Sequence, residues 1–78
     1  MRKIDLSDAS YTPVRFLNRM HEIVGVKNDA QLAKKMEVNA CAISKIRNRA
    51  VPIGATYIVT LLELTGMQLG ELYALLWV

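Results

Sequence analysis

The chain's 78 residues leave room for one compact domain and not for two. Apolar residues make up 53% of them, enough for a core without metal or disulfide staples, and the mean hydropathy of +0.21 is high for so short a chain. One cysteine, Cys41, and one histidine, His21, exclude an internal disulfide and the usual Cys/His metal clusters, no cofactor is expected, and the net charge is +3.

Residues 1–11 read as an irregular arm of mixed charge, with Ser and Asp and little periodicity. Arg2 and Lys3 lead into Asp5, Ser7 and Asp8 and not into an apolar run, so no secretory leader is expected. Thr12-Pro13 opens a single domain over 12–78, since Thr is a good N-cap and Pro is favoured at the first helical position. Phe16, Leu17, Met20, Ile23 and Val24 recur at helical spacing and Gly25 stops the run, which predicts a first helix over 13–24. Asn28 caps a second helix over 29–36, with Gln31 at the capping-box position and Asp29 at the positive end of the helix dipole. Leu32, Ala33 and Met36 form its inner face. Glu37-Val38-Asn39 breaks the pattern, and Asn39 caps a third helix over 40–48. Ala42, Ile43 and Ile46 make its inner stripe, while Ala40, Cys41, Ser44, Lys45 and Asn48 point the other way. Pro52 and Gly54 mark a loop. A fourth helix over 55–65 puts Ile58, Leu61, Leu62 and Thr65 on one face and ends at Gly66. Gln68 opens a fifth over 69–76, with Leu69, Leu72 and Leu76 inward. The apolar run from Leu72 to Val78 falls far short of the ~20 residues of a membrane span. The expected fold class is all-α with five helices, and the expected setting is cytoplasmic.

The informative unit is 29–48, DAQLAKKMEVNACAISKIRN. Two short helices separated by three residues must cross steeply and closely. That needs a small residue at the crossing, Ala33, and apolar anchors on both helices and in the turn: Leu32, Met36, Val38, Ile43 and Ile46. The second helix then stands with its polar side outward, able to enter a DNA major groove about 12 Å wide. Charge agrees. Residues 34–49 carry Lys34, Lys35, Lys45, Arg47 and Arg49 against Glu37 alone, whereas 50–78 carry Glu63 and Glu71 and no basic residue. Such asymmetry suits one face turned toward phosphate.

This stretch resembles the Cro/lambda-repressor-like (XRE) helix-turn-helix family, which places Ala, an apolar turn residue and two branched apolars where Ala33, Val38, Ile43 and Ile46 stand. Ile43-Ser44-Lys45-Ile46-Arg47-Asn48 is especially typical, and the similarity extends over about 12–76, because the family has five helices in this order. One position departs from it. The family usually has Gly where Glu37 stands, since that residue takes a left-handed conformation, and a side chain there costs roughly 1 kcal/mol.

The resemblance implies a DNA contact set. The first two exposed residues of the recognition helix and one a turn later touch base edges in the family; here they are Ala40, Cys41 and Lys45, with Ser44 beside them. Lys45 can donate to guanine O6 or N7, and Ala40 can offer a methyl contact. Asn39 lies at a helix N-terminus, where backbone N–H groups favour phosphate oxygens. Asn48 matches a phosphate-contacting position, and Arg49 and the loop through Val51 are expected along the same strand. The family often ties its first helix to the end of the third by an Arg–carboxylate pair, which maps here onto Glu22 and Arg47 with the charges exchanged.

The function implied is a DNA-binding transcriptional regulator that represses by occupying a palindromic operator. The alternative is a protein-interaction module that keeps the fold, and an antitoxin holding a toxin partner on its last helix would join the two. An enzyme is not expected, because the sequence offers no nucleophile–base pair, carboxylate dyad or phosphate-binding glycine loop. A homodimer is expected through the C-terminal region. With Leu69, Leu72 and Leu76 turned inward, Tyr73, Leu75, Trp77 and Val78 are left as its interface.

Overall fold

Five helices follow one another in the computed structural model, which describes residues 4–77: α1 (Pro13–Val24), α2 (Asp29–Met36), α3 (Ala40–Arg47), α4 (Ala55–Thr65) and α5 (Leu69–Ala74). No strand occurs among the described residues, only an isolated antiparallel bridge between Tyr11 and Trp77.

Local chemistry sets most of the boundaries. Pro13 takes the first position of α1. Asn28 Oδ1 accepts from the Gln31 N–H at 2.8 Å, while Gln31 Oε1 reaches back to the Lys27 N–H at 2.8 Å, one residue before the cap. Asn39 Oδ1 accepts from the Cys41 N–H at 2.8 Å and starts α3. The first four helices each run into a left-handed residue: Gly25 (φ 83°), Glu37 (φ 58°), Arg49 (φ 62°) and Gly66 (φ 71°). After the first three, the next N–H returns to a carbonyl five residues back: Val26 to His21, Val38 to Ala33, Ala50 to Lys45, at 2.9–3.0 Å.

The core is drawn from every helix. Phe16, Leu17 and Met20 of α1 meet Leu32, Ala33 and Met36 of α2, Ile43 and Ile46 of α3, Ile58 and Leu61 of α4, and Leu72 of α5. Val38 plugs the turn between α2 and α3, the pair in most extensive contact. Ala33 is buried, as a close crossing requires.

The C-terminal end departs from expectation. The fifth helix stops at Ala74, not at 76, because Leu76 O turns to accept the Thr12 N–H at 2.6 Å and the Thr12 hydroxyl at 3.3 Å. Leu76 is fully buried, and Trp77, only 8% exposed, packs against Tyr11 with ring centroids 6.0 Å apart. Tyr73 stacks on Trp77 at 5.8 Å. Trp77 is therefore a core residue and not an interface residue. Tyr73 and Leu75 are half-buried beside it, and Val78 lies outside the described residues. Leu69, expected inward, is 39% exposed: it is the first residue of a helix only six residues long, in which Leu72 alone is buried.

The arm is not loose over the described residues. Asp5 and Asp8 each fold a turn by accepting from the backbone N–H and hydroxyl of the serine two residues on, Ser7 and Ser10, at 2.7–2.9 Å. Tyr11 is fully buried.

Candidate nucleic-acid interface

α3 carries the face singled out by the sequence. Its buried side is Ile43 and Ile46, with Ala42 half-buried. On the opposite side, Asn39, Ala40, Cys41, Ser44, Lys45 and Asn48 are all exposed and follow helical spacing along one strip. Asn48 Nδ2 donates to Ser44 Oγ at 3.4 Å, linking two polar groups of the strip one turn apart. No carboxylate interrupts it, and among the described residues Lys34, Lys35 and Lys45 pair with no acidic side chain.

Arg47, at the end of α3, is structural, but its partner is not Glu22. Its Nε and Nη2 donate to the two oxygens of Asp29 at 2.7 and 2.8 Å, and its Nη1 donates to Asn18 Oδ1 at 2.9 Å. His21 Nε2 lies 2.7 Å from Asp29 Oδ1. One side chain of α3 thus ties down the first residue of α2 and the middle of α1. The Arg47 and Asp29 side chains are 22% and 24% exposed, so the bidentate pair is well shielded from solvent. Hydrogen bonding from Arg47 holds the Asp29 carboxyl below its ordinary range; partial burial opposes this, and His21 adds to it. Glu22 lies on the outer stripe of α1 and pairs with Arg19 at 2.8 Å, three residues away on the same helix.

Arg49 also leaves the expected contact set. Its guanidinium donates to Leu6 O at 2.8 Å, Asp8 O at 2.6 Å and Tyr11 O at 3.0 Å, and lies 5.6 Å from the Tyr11 ring centre. The left-handed backbone of Arg49 turns its side chain back to the arm, away from the outer face of α3. Burial pushes the Tyr11 hydroxyl above its ordinary pKa, against the opposing effects of the Ile53 backbone and the Arg49 charge.

The clamp through Asn18, His21 and Asp29 was not found from sequence. Its only signal was an acidic residue at the first position of α2, which is equally explained by the helix dipole. No His, Cys, Asp or Glu cluster fit for a metal occurs among the described residues, and no helix is long and apolar enough to cross a membrane. The chain matches no family model, no curated protein and no solved structure.

Proposed function

We propose that the chain is a sequence-specific DNA-binding regulator that represses by occupying a palindromic operator, with α3 in the major groove of each half-site. The observation carrying this reading is the strip on α3: exposed, free of carboxylates, small at its start and cationic at Lys45. Small side chains at Ala40, Cys41 and Ser44 let the helix backbone approach the base edges. Lys45, one turn on, is long enough to donate to guanine O6 or N7. Asn39 and Asn48 flank the strip, where phosphates would run, and Lys34 and Lys35 add attraction that weakens with salt. The Arg47–Asp29–Asn18 clamp supports the reading differently: it fixes α3 against α1 and α2, and a recognition helix must be held at one angle to read bases in register.

The experiment is selection of bound duplexes from a random pool, followed by fluorescence titration of a selected site and a scrambled one at moderate salt. The expected result is a preference for the selected, two-fold symmetric site that collapses in Lys45→Ala. Equal affinity for both duplexes would refute sequence-specific binding.

A further inference from the structure

Along the exposed side of α1 runs an open groove of about 620 Å³ that takes no part in the α3 strip. Val14, Arg15, Asn18, Arg19 and Glu22 line it, so it follows the helix for ~12 Å. Near the start of α1 its lining is apolar: Val14 and half-buried Leu75 present surface there, and Pro13 between Thr12 and Val14 is fully buried. Val14 is 47% exposed there, among the most exposed large apolar side chains described.

The rim is cationic, and its cations differ in availability. Arg49 is occupied by the arm carbonyls. The hydrogen bond of Arg15 is a long one, 3.4 Å to Trp77 O. Among the described residues Arg19 is held by Glu22 alone, in a pair whose side chains are 55% and 67% exposed. An exposed pair of this kind contributes little and is readily exchanged. Two guanidinium groups four residues apart thus flank an apolar floor, with one carboxylate against them.

We propose that this groove binds a small organic carboxylate with an apolar body. Each part of the site selects one part of that ligand. A guanidinium presents a planar fork that matches a carboxylate in two parallel hydrogen bonds. Val14 and Leu75 offer apolar surface that an inorganic anion cannot use. The excess of cations disfavours an amine with the same body. The volume falls inside the range of about 300–1,000 Å³ that small-ligand sites occupy. The proposal is independent of DNA binding, and its test uses no DNA.

The test is nuclear magnetic resonance titration of the whole isotope-labelled chain with octanoate, with acetate and octylammonium as probes of body and charge. Octanoate is expected to give saturable shifts confined to 11–22 and the neighbourhoods of Arg49 and Leu75. Acetate is expected to bind more than about tenfold more weakly, because it leaves the apolar floor uncovered. Arg15→Gln and Arg19→Gln remove charge from exposed positions, the first giving up only a long hydrogen bond to Trp77 O, and each is expected to weaken octanoate about tenfold. Their unchanged spectra away from the groove verify folding. Three results would overturn the proposal. One is no saturable shift with millimolar octanoate, and another is equal response to octylammonium, which would mean general apolar adhesion. The third is a shift of the same residues on raising protein concentration alone, which would mean that a second copy covers the groove.

Discussion

Arg47 and Arg49 stand two positions apart in a basic stretch, and folding takes both for internal bonds. A sequence displays charge but not who claims it; the claim depends on which backbone carbonyls and carboxylates the fold delivers. For Arg47 a structural role was legible, through the family likeness. Its partner was not, because Glu22 has Arg19 three residues away on its own helix, whereas Asp29 approaches only once α2 has crossed α3. The double-mutant cycle of Arg47→Ala and Asp29→Ala is expected to show a coupling energy of about 1–3 kcal/mol in thermal or denaturant melts. Arg47→Ala and Glu22→Ala should add without coupling. The pair also sets an acid limit. The folded-state carboxyl of Asp29 titrates below its ordinary value of 3.8. Its contribution to stability is therefore complete above that value, and is lost as pH falls from there through the lower folded value. Asp29→Asn should be less stable than wild type at neutral pH and should lose less stability on acidification, as measured by urea midpoints across pH. On DNA, Lys45→Ala is expected to cost about 1–3 kcal/mol concentrated at one base position per half-site. Arg49→Ala should instead lower the melting temperature and leave the salt dependence of binding largely unchanged, since its guanidinium already holds the arm.

Helix starts are written locally, and the chain declares them well. Pro13, Asn28 and Asn39 each act within three residues of where they stand, so the starts of α1, α2 and α3 are legible to the residue. Helix ends are less so. Gly25 and Gly66 announce their left-handed turns, but Glu37 and Arg49 adopt the same conformation with a side chain present. At Glu37 only the family likeness pointed to it, and at Arg49 nothing did. The end of α5 is decided by Thr12, whose N–H is satisfied by a carbonyl 64 residues away, a contact no local pattern contains. The two strained turns differ in what the side chain returns. Glu37 is exposed and makes no ion pair among the described residues, so Glu37→Gly is expected to stabilise the fold by roughly 1 kcal/mol. Arg49→Gly relieves the same strain but gives up the hydrogen bonds to the arm, and should destabilise. Calorimetry of the two variants side by side would test this; a fall in melting temperature for Glu37→Gly would show that the turn is not strained there.

For the molecule as a whole, the proposed function asks how two copies of α3 would come to lie on one operator. The sequence placed a ready-made dimer on the C-terminal segment, because a Tyr, a Leu and a Trp near Leu76 exceed what a short helix can bury. The fold buries Trp77 within one chain instead, beside the expected core residue Leu76, by bending the segment back onto Tyr11 and Thr12. Trp77→Ala should accordingly destabilise the single chain by about 3–5 kcal/mol, and should not dissociate an assembly. What stays exposed among large apolar residues comes one or two at a time from α1, the loop after α3, α4 and the start of α5. Exposed apolar residues in that number are ordinary for a monomer. Association would then depend on DNA to align the copies. The dimensions permit it when the domains sit side by side across a shorter axis: the Cα envelope is 28 × 25 × 19 Å, and half-sites on one DNA face lie about 34 Å apart. The expected behaviour is one chain per particle in free solution, one per duplex bearing a single half-site, and two per duplex bearing both. The second copy should bind more tightly than the first when the half-sites are one helical turn apart, and lose that advantage when a half-turn is inserted. Sedimentation equilibrium at micromolar concentration, free and on the three duplexes, reads all of this directly. A stable two-chain mass without DNA, unmoved by Trp77→Ala, would show that another surface makes the dimer. A single chain saturating the full palindrome would leave α3 reading only one groove.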